Sequence, residues 1–183
     1  PAASTAELKE AVLTIRNLAS GQPISERAPG IRLPWATGSL EVWMSGYGPR
    51  TLSLIGEIGD GLILQLADEK VTEYSAGRVR NAAEDAGRDP ASVKICVGAP
   101  AYVGRDLARQ SAWISGMVYG HMSHLLSAYG AAAPGGTDRT DPVRDFCLLG
   151  PIEDHLEKLR RLCEGGACPG WDVAAHPEGS VSA

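Results

Sequence analysis

Aromatic residues are scarce in this chain: they make up 5% of it, and Phe146 is the one phenylalanine. That rarity decides nothing about class, because 44% of the residues are hydrophobic and 21% charged, ordinary proportions for a globular protein. No apolar run reaches the ~18 residues of a membrane span, and no charged-then-apolar leader opens the sequence. These absences argue against a membrane partner and make a cytoplasmic protein the default expectation. Cysteine is sparse as well. Cys96, Cys147, Cys163 and Cys168 are irregularly placed and do not read as a disulfide framework. An excess of positive charge is also missing. The net charge of -5 and the pI near 5.4 leave no electrostatic case for nucleic acid or an anionic membrane.

What is present reads as one domain in 183 residues. There is no initiator Met. The chain opens on a helix that Ser4 or Thr5 can cap, with Leu8, Val12, Ile15 and Leu18 at helical spacing and Gly21 as its stop. A helix with no strand before it suits a chain that starts inside a fold. A Pro- and Gly-rich loop follows over 21–39.

Then comes an alternation of strands and helices. The pattern predicts strands over 40–46, 60–68 and 92–106, and helices over 49–59 and from residue 68 to a break at Gly87 and Pro90. Further helices are expected over 107–130 and 150–162. Such alternation is that of a parallel sheet covered by helices. Three units are too few for a closed eight-stranded barrel. From Cys163 onward the sequence is rich in Gly, Pro and Ala without periodicity, and it reads as a disordered tail.

The chemistry-bearing stretch is "SGYGPR", Ser45 to Arg50, between the first strand and its helix. A helix start carries unpaired amides and the positive end of the helix dipole, which together suit an anion. Gly46 and Gly48 would let a phosphate approach the backbone, Ser45 and Thr51 can add hydroxyls, and Arg50 adds charge. The other reading is a plain connection in which glycine serves only a positive φ. The residues by themselves leave both open.

The stretch "VWMSGYGPRTLSLIGEIGDGLIL" resembles the strand–turn–helix–strand of the luciferase-like oxidoreductases, the bacterial luciferase superfamily. Similarity continues through "AAEDAGRDPASVKICVGAPAYVG" and "GPIEDHLEKLRRL", so it covers most of residues 1–162. The branch of coenzyme F420-dependent methylenetetrahydromethanopterin reductases is the nearer match, on its G-x-G-P at this strand end. The resemblance implies the C-terminal half of a (β/α)8 TIM-type barrel, an α/β fold, with the visible strands as the fifth to seventh. It implies an oxidoreductase that uses F420, or alternatively FMN, on a small-molecule substrate, homo-oligomeric at full length. It places the cofactor's phosphate at Ser45, Gly46, Tyr47 and Gly48, with Arg50 as a weaker member. Gln65 and Ala67 would stand at the mouth of the next strand, and Tyr102 near the end of the third. The family's first four strands and its acid–base residues have no counterpart here, so no catalytic residue is assigned and the chain alone is expected to be inactive. After "HLEKLRRL" the family continues into a glycine turn and an apolar strand, whereas "CEGGACPGWDV" does not. A reading-frame shift near residue 163 would account for that.

Other constellations carry less. His121 and His124 lie three apart without a third ligand, and Cys163, Cys168 and His176 form a loose cluster, so no metal site is expected. Asp60 before Gly61 reads as turn chemistry, Trp43 as a core residue and "EDHLEKLRR" as a solvated helix face. No Ser-His-Asp or Cys-His arrangement has supporting context. Two rival functions remain: a non-catalytic remnant with exposed strand edges, and a small α/β module that binds phosphate ligands without redox chemistry.

Overall fold

The computed structural model describes residues 4–106 and 145–165. The expected helix over 107–130, His121, His124, Cys168, His176 and the tail beyond residue 165 lie outside them. The chain divides into two compact units. One holds the residues up to Leu62 together with Arg78–Lys94, and the other holds Ile63–Gly77 together with the residues from Ile95 on.

In the first unit, α1 (Thr5–Ala19) starts as its sequence predicts. The Ser4 hydroxyl accepts from the Glu7 N–H at 3.2 Å, while the Glu7 carboxylate accepts from the Ser4 N–H at 2.7 Å. Gly21, at φ +72°, ends it. Val12 is the buried anchor of the helix, whereas Ile15 stays 43% exposed.

Strand β1 (Trp43–Ser45) is shorter than the expected 40–46 and leads into α2 (Pro49–Ile58). Pro49 occupies the first helical turn, where its missing N–H costs nothing. Leu52, Leu54 and Ile55 are buried, and Gly56 rests directly on the second half of α3 (Glu69–Asp85). A Cβ on Gly56 would stand 2.3 Å from the Val79 carbonyl oxygen and 2.8 Å from the Ala83 nitrogen. Helix α3 stops at Gly87 (φ +71°), as its sequence predicts. Trp43 is half-buried rather than in the core. Its ring covers the Cα of Gly61, where a Cβ would lie 2.4 Å from it, and its Nε1 donates to Glu41 at 3.0 Å.

Strands β1, β2 (Gly61–Leu64) and β3 (Lys94–Val97) form a sheet in that order. The expected long third strand is two strands. Gly98–Ala99–Pro100 interrupts it, since proline cannot donate to a ladder, and β4 (Ala101–Val103) follows.

In the second unit β4 pairs in parallel with β5 (Leu148–Gly150), with Ala101 opposite Leu148 and Val103 opposite Gly150. Three residues give too little pattern to read as a strand, which is why β5 is absent from the sequence expectations. Leu148 N–H bonds the Pro100 carbonyl at 2.9 Å, and the Ala67 N–H bonds that of Phe146 at 2.8 Å. Phe146, Cys147 and Leu148 are buried.

Helix α4 (Ile152–Glu164) runs two residues past its expected end. It is not a wholly solvated face. His155 is buried with Nε2 3.2 Å from the Tyr102 carbonyl oxygen, and Leu162 is buried one turn beyond Lys158. Lys158 Nζ donates to the Asp145 carbonyl at 2.7 Å and to the Cys147 carbonyl at 2.9 Å. Burial pushes the Lys158 ammonium down from its ordinary range, against the pull of Asp145, Cys147, Asp68 and Glu69. A helical stripe can therefore be the inward one although two of its members are ionisable. Binary patterning misreads it for that reason.

Candidate functional site

The turn from Ser45 to Thr51 stands at the C-terminal end of β1. Ser45, Gly48 and Arg50 are exposed, and Gly46, Tyr47 and Thr51 are half-buried. Gly48 is the N-cap of α2 with ordinary extended angles, φ -71° and ψ 146°, and no side chain caps the helix. The first helical bond runs from the Leu52 N–H to the Gly48 carbonyl at 3.0 Å. The amides of Arg50 and Thr51 therefore lie ahead of the ladder and find no acceptor among the described residues. Arg50 makes no ion pair among those residues either.

The two glycines do different work. Neither has a positive φ, so a left-handed backbone is not what calls for glycine at either position. A Cβ on Gly46 would come 2.4 Å from the Thr51 Cγ2, so any side chain there would force Thr51 to shift. Around Gly48 a Cβ would meet no described atom within 4 Å. Packing among the described residues does not require glycine at 48.

The other helix starts contrast with this one. Helix α1 has its capping box, and the Asp68 carboxylate accepts from the Val71 N–H at 2.8 Å at the start of α3. Helix α4 has Glu153 and Asp154 in its first turn. Helix α2 has no acid in its first turn and carries Arg50 instead, a charge that the helix dipole disfavours at that end. A bound anion would reverse that disadvantage.

At the opposite ends of the strands lies a cleft of about 310 Å³ lined by Arg16, Ser39, Leu40, Glu41 and Asp60. Its charged groups already have partners: Arg16 pairs with Asp60, and Glu41 with Lys94 at 2.7 Å. One Asp60 oxygen accepts from Arg16 Nη2 at 2.6 Å and from the Val42 N–H at 2.7 Å. The backbone of Asp60 bonds Val42 on one side (3.1 Å) and Lys94 on the other (3.0 Å). Asp60 is thus a tie between the strand starts and α1, more than the turn residue its sequence suggests.

Burial pushes the Asp60 carboxyl up, but the Val42 amide and Arg16 outweigh it and hold it below the usual carboxylate range. A carboxyl lowered by folding stabilises above its unfolded pKa of about 3.9, and that contribution is lost as pH falls through the lower, folded value. Asp60→Asn should therefore cost about 1–2 kcal/mol at pH 7, and the gap to the parent chain should close below about pH 4. Urea denaturation across pH 2–7 checks this, and a gap independent of pH would refute it.

Of the remaining site candidates, Gln65 lies just past β2 in the second unit and is exposed, and Ala67 is buried. Tyr102 is half-buried in β4 with its ring against Gly104, where a Cβ would lie 2.9 Å from it. Among the described residues no group of three His, Cys, Asp or Glu side chains could hold a metal ion. No helix among them is long and apolar enough to cross a membrane. A residue that sequence reasoning passed over is Arg88, whose guanidinium donates to the carbonyls of Gly56 (2.6 Å) and Gly59 (2.7 Å) at the end of α2. The glycine before it was the available signal.

An uncapped, acid-free helix start after a strand is a place where an anion can be held. The particular family follows from comparison: the model of the luciferase-like monooxygenases matches residues 1–168. The chain belongs to that family, as the resemblance in its sequence implies. Among curated relatives, a 5,10-methylenetetrahydromethanopterin reductase of Methanolobus tindarius is 26% identical over 106 residues, 55% of this chain and 32% of the relative. A phthiodiolone/phenolphthiodiolone dimycocerosates ketoreductase of Mycobacterium tuberculosis is 37% identical over 100 residues, 48% of this chain and 26% of the relative. The solved structure of an F420-dependent secondary alcohol dehydrogenase, in complex with an F420-acetone adduct, shares the fold at a TM-score of 0.68 and 17% identity. That likeness covers 89% of this chain and 54% of that one. The chain thus spans a third or less of these two curated relatives and about half of the solved one.

Proposed function

We propose that the chain is part of an F420-dependent oxidoreductase built on a partial (β/α)8 barrel, and that Ser45, Gly46, Tyr47 and Gly48 hold the cofactor's phosphate. The observation that carries this reading is the start of α2. Among the described residues it has two amides without an acceptor, no side-chain cap, no acid, a neighbouring Arg50, and no atom within 4 Å of where a Gly48 Cβ would stand. These features fit a phosphate, which needs donors and room. When bound, F420 supplies a hydride donor or acceptor. This chain's own part is to bind and orient: the amides of Arg50 and Thr51 donate to the anion, the Ser45 hydroxyl can add a donor, and Arg50 balances charge. Gln65 belongs to the second unit and is proposed at the cofactor's edge on resemblance alone. No acid or base is assigned.

The substrate is proposed to be a small molecule, the complete protein a cytoplasmic homo-oligomer, and neither nucleic acid nor membrane a partner. Titration of the chain with F420 and with FMN, followed by fluorescence, tests the reading. The expected result is saturable F420 binding that inorganic phosphate competes away. Tighter binding of FMN would move the chain to flavin chemistry. Binding of phosphates but of neither cofactor would make it a phosphate-binding module, and binding of none would leave a non-catalytic remnant.

A further inference from the structure

We propose that Arg88 is a positioning residue for the anion-binding turn: from the far end of α2 it sets where the amides of Arg50 and Thr51 stand. The inference rests on the proposed phosphate cradle and concerns what supports it. Its starting point is the stop of α3. With Gly87 at φ +71°, the Gly87 N–H bonds the Glu84 carbonyl at 2.9 Å and the Arg88 N–H bonds the Ala83 carbonyl at 2.8 Å. This doubly bonded ending turns the chain off the helix axis and relies on glycine for its left-handed residue. Arg88 leaves α3 at that corner and reaches α2.

There it meets two carbonyls. In a continuing helix the Gly56 carbonyl would accept from the Asp60 N–H, but that N–H is taken by the Val42 carbonyl of the sheet. The guanidinium fork closes Gly56 and Gly59 together, at 2.6 and 2.7 Å, and sets a positive charge at the negative end of the α2 dipole. On the same turn Gly56 lies against Val79, Ala82 and Ala83 of α3 with no room for a Cβ. Helix α2 is therefore gripped over its last turn and anchored along its inner face by Leu52, while Pro49 and Arg50 at its other end are exposed. A helix of ten residues is a rod of about 15 Å, so a grip at one end fixes the place and tilt of the amides at the other.

The test compares the 15N-labelled chain with its Arg88→Lys and Arg88→Ala variants. Lysine keeps the charge and loses the fork, which guards against a variant that simply fails to fold. The amide resonances of Arg50 and Thr51 should move in both variants, further in Arg88→Ala, while those of α4 stay in place. Well below the unfolding temperature, affinity for F420 should fall about threefold to tenfold in Arg88→Ala, with a smaller loss in Arg88→Lys. A residue that only stabilises the fold would lower the unfolding temperature and leave those amides unmoved, and that result overturns the proposal. F420 binding that stays within twofold of the parent in both variants also overturns it, and leaves the cradle intact. Moved amides in a chain that binds no F420 would sink the cradle and uphold the placement of the helix end by Arg88.

Discussion

Gly56→Ala should destabilise the chain by more than about 2 kcal/mol, the scale of an overpacked core site. The added methyl would stand 2.3 Å from the Val79 carbonyl oxygen, 2.7 Å from the Ala82 Cβ and 2.8 Å from the Ala83 nitrogen. Two of those three atoms are backbone, which no rotamer change can move aside. The two helices would have to separate, and the neighbouring Leu52 and Ile55, both fully buried, would lose packing with them. Gly77→Ala is the matched control. It lies within α3, a Cβ there meets nothing within 4 Å, and removing a helical glycine should stabilise by about 0.5–1 kcal/mol. Urea midpoints that shift in opposite directions bear out the close approach. A stabilised or neutral Gly56→Ala would show that the helices can part without cost.

Gly48→Asp should separate folding from binding more sharply than any other substitution in the turn. Its backbone angles suit any residue, and no described atom lies within 4 Å of where its Cβ would stand. Aspartate at an N-cap accepts from the free amides and favours the positive end of the dipole, so the fold should gain about 0.5–1 kcal/mol. The same carboxylate would occupy and repel the position proposed for phosphate. Affinity for F420 should then drop by about 30-fold or more, the equivalent of roughly 2 kcal/mol. Thermal unfolding and fluorescence titration on one preparation measure both. Unchanged affinity in the stabilised variant would remove the turn from the cofactor site. Gly46 is the poorer probe, because any side chain there collides with Thr51 and disturbs the turn itself.

Local rules carried a good part of this protein into view from its sequence. A cap at Ser4 or Thr5, Pro49 at the start of α2 and the glycine stops at 21 and 87 are signals written within a few residues; the structure has the stops and Pro49, and of the two caps it uses Ser4. The resemblance spread over several segments in order pointed to the luciferase-like family, to which the chain belongs. The turn at 45–51 was legible as a strand–helix connection.

What tertiary structure alone decided is everything that depends on which atoms meet across long separations in sequence. The two glycines of "SGYGPR" read alike, yet a Cβ on one would crowd the methyl of Thr51 and a Cβ on the other would meet no described atom within 4 Å. Asp60 reads as a turn residue until Arg16 and Val42 converge on its carboxylate. Arg88 reads as the end of a helix until its fork finds the carbonyls that the sheet has left unpaired. His155 and Lys158 read as solvent-facing because pattern rules assign ionisable side chains outward. Backbone carbonyls of Tyr102, Asp145 and Cys147, supplied by other segments, are what let them turn inward. Hydrogen-bond satisfaction inside a fold is a property of neighbours, and neighbours distant in sequence leave no local trace.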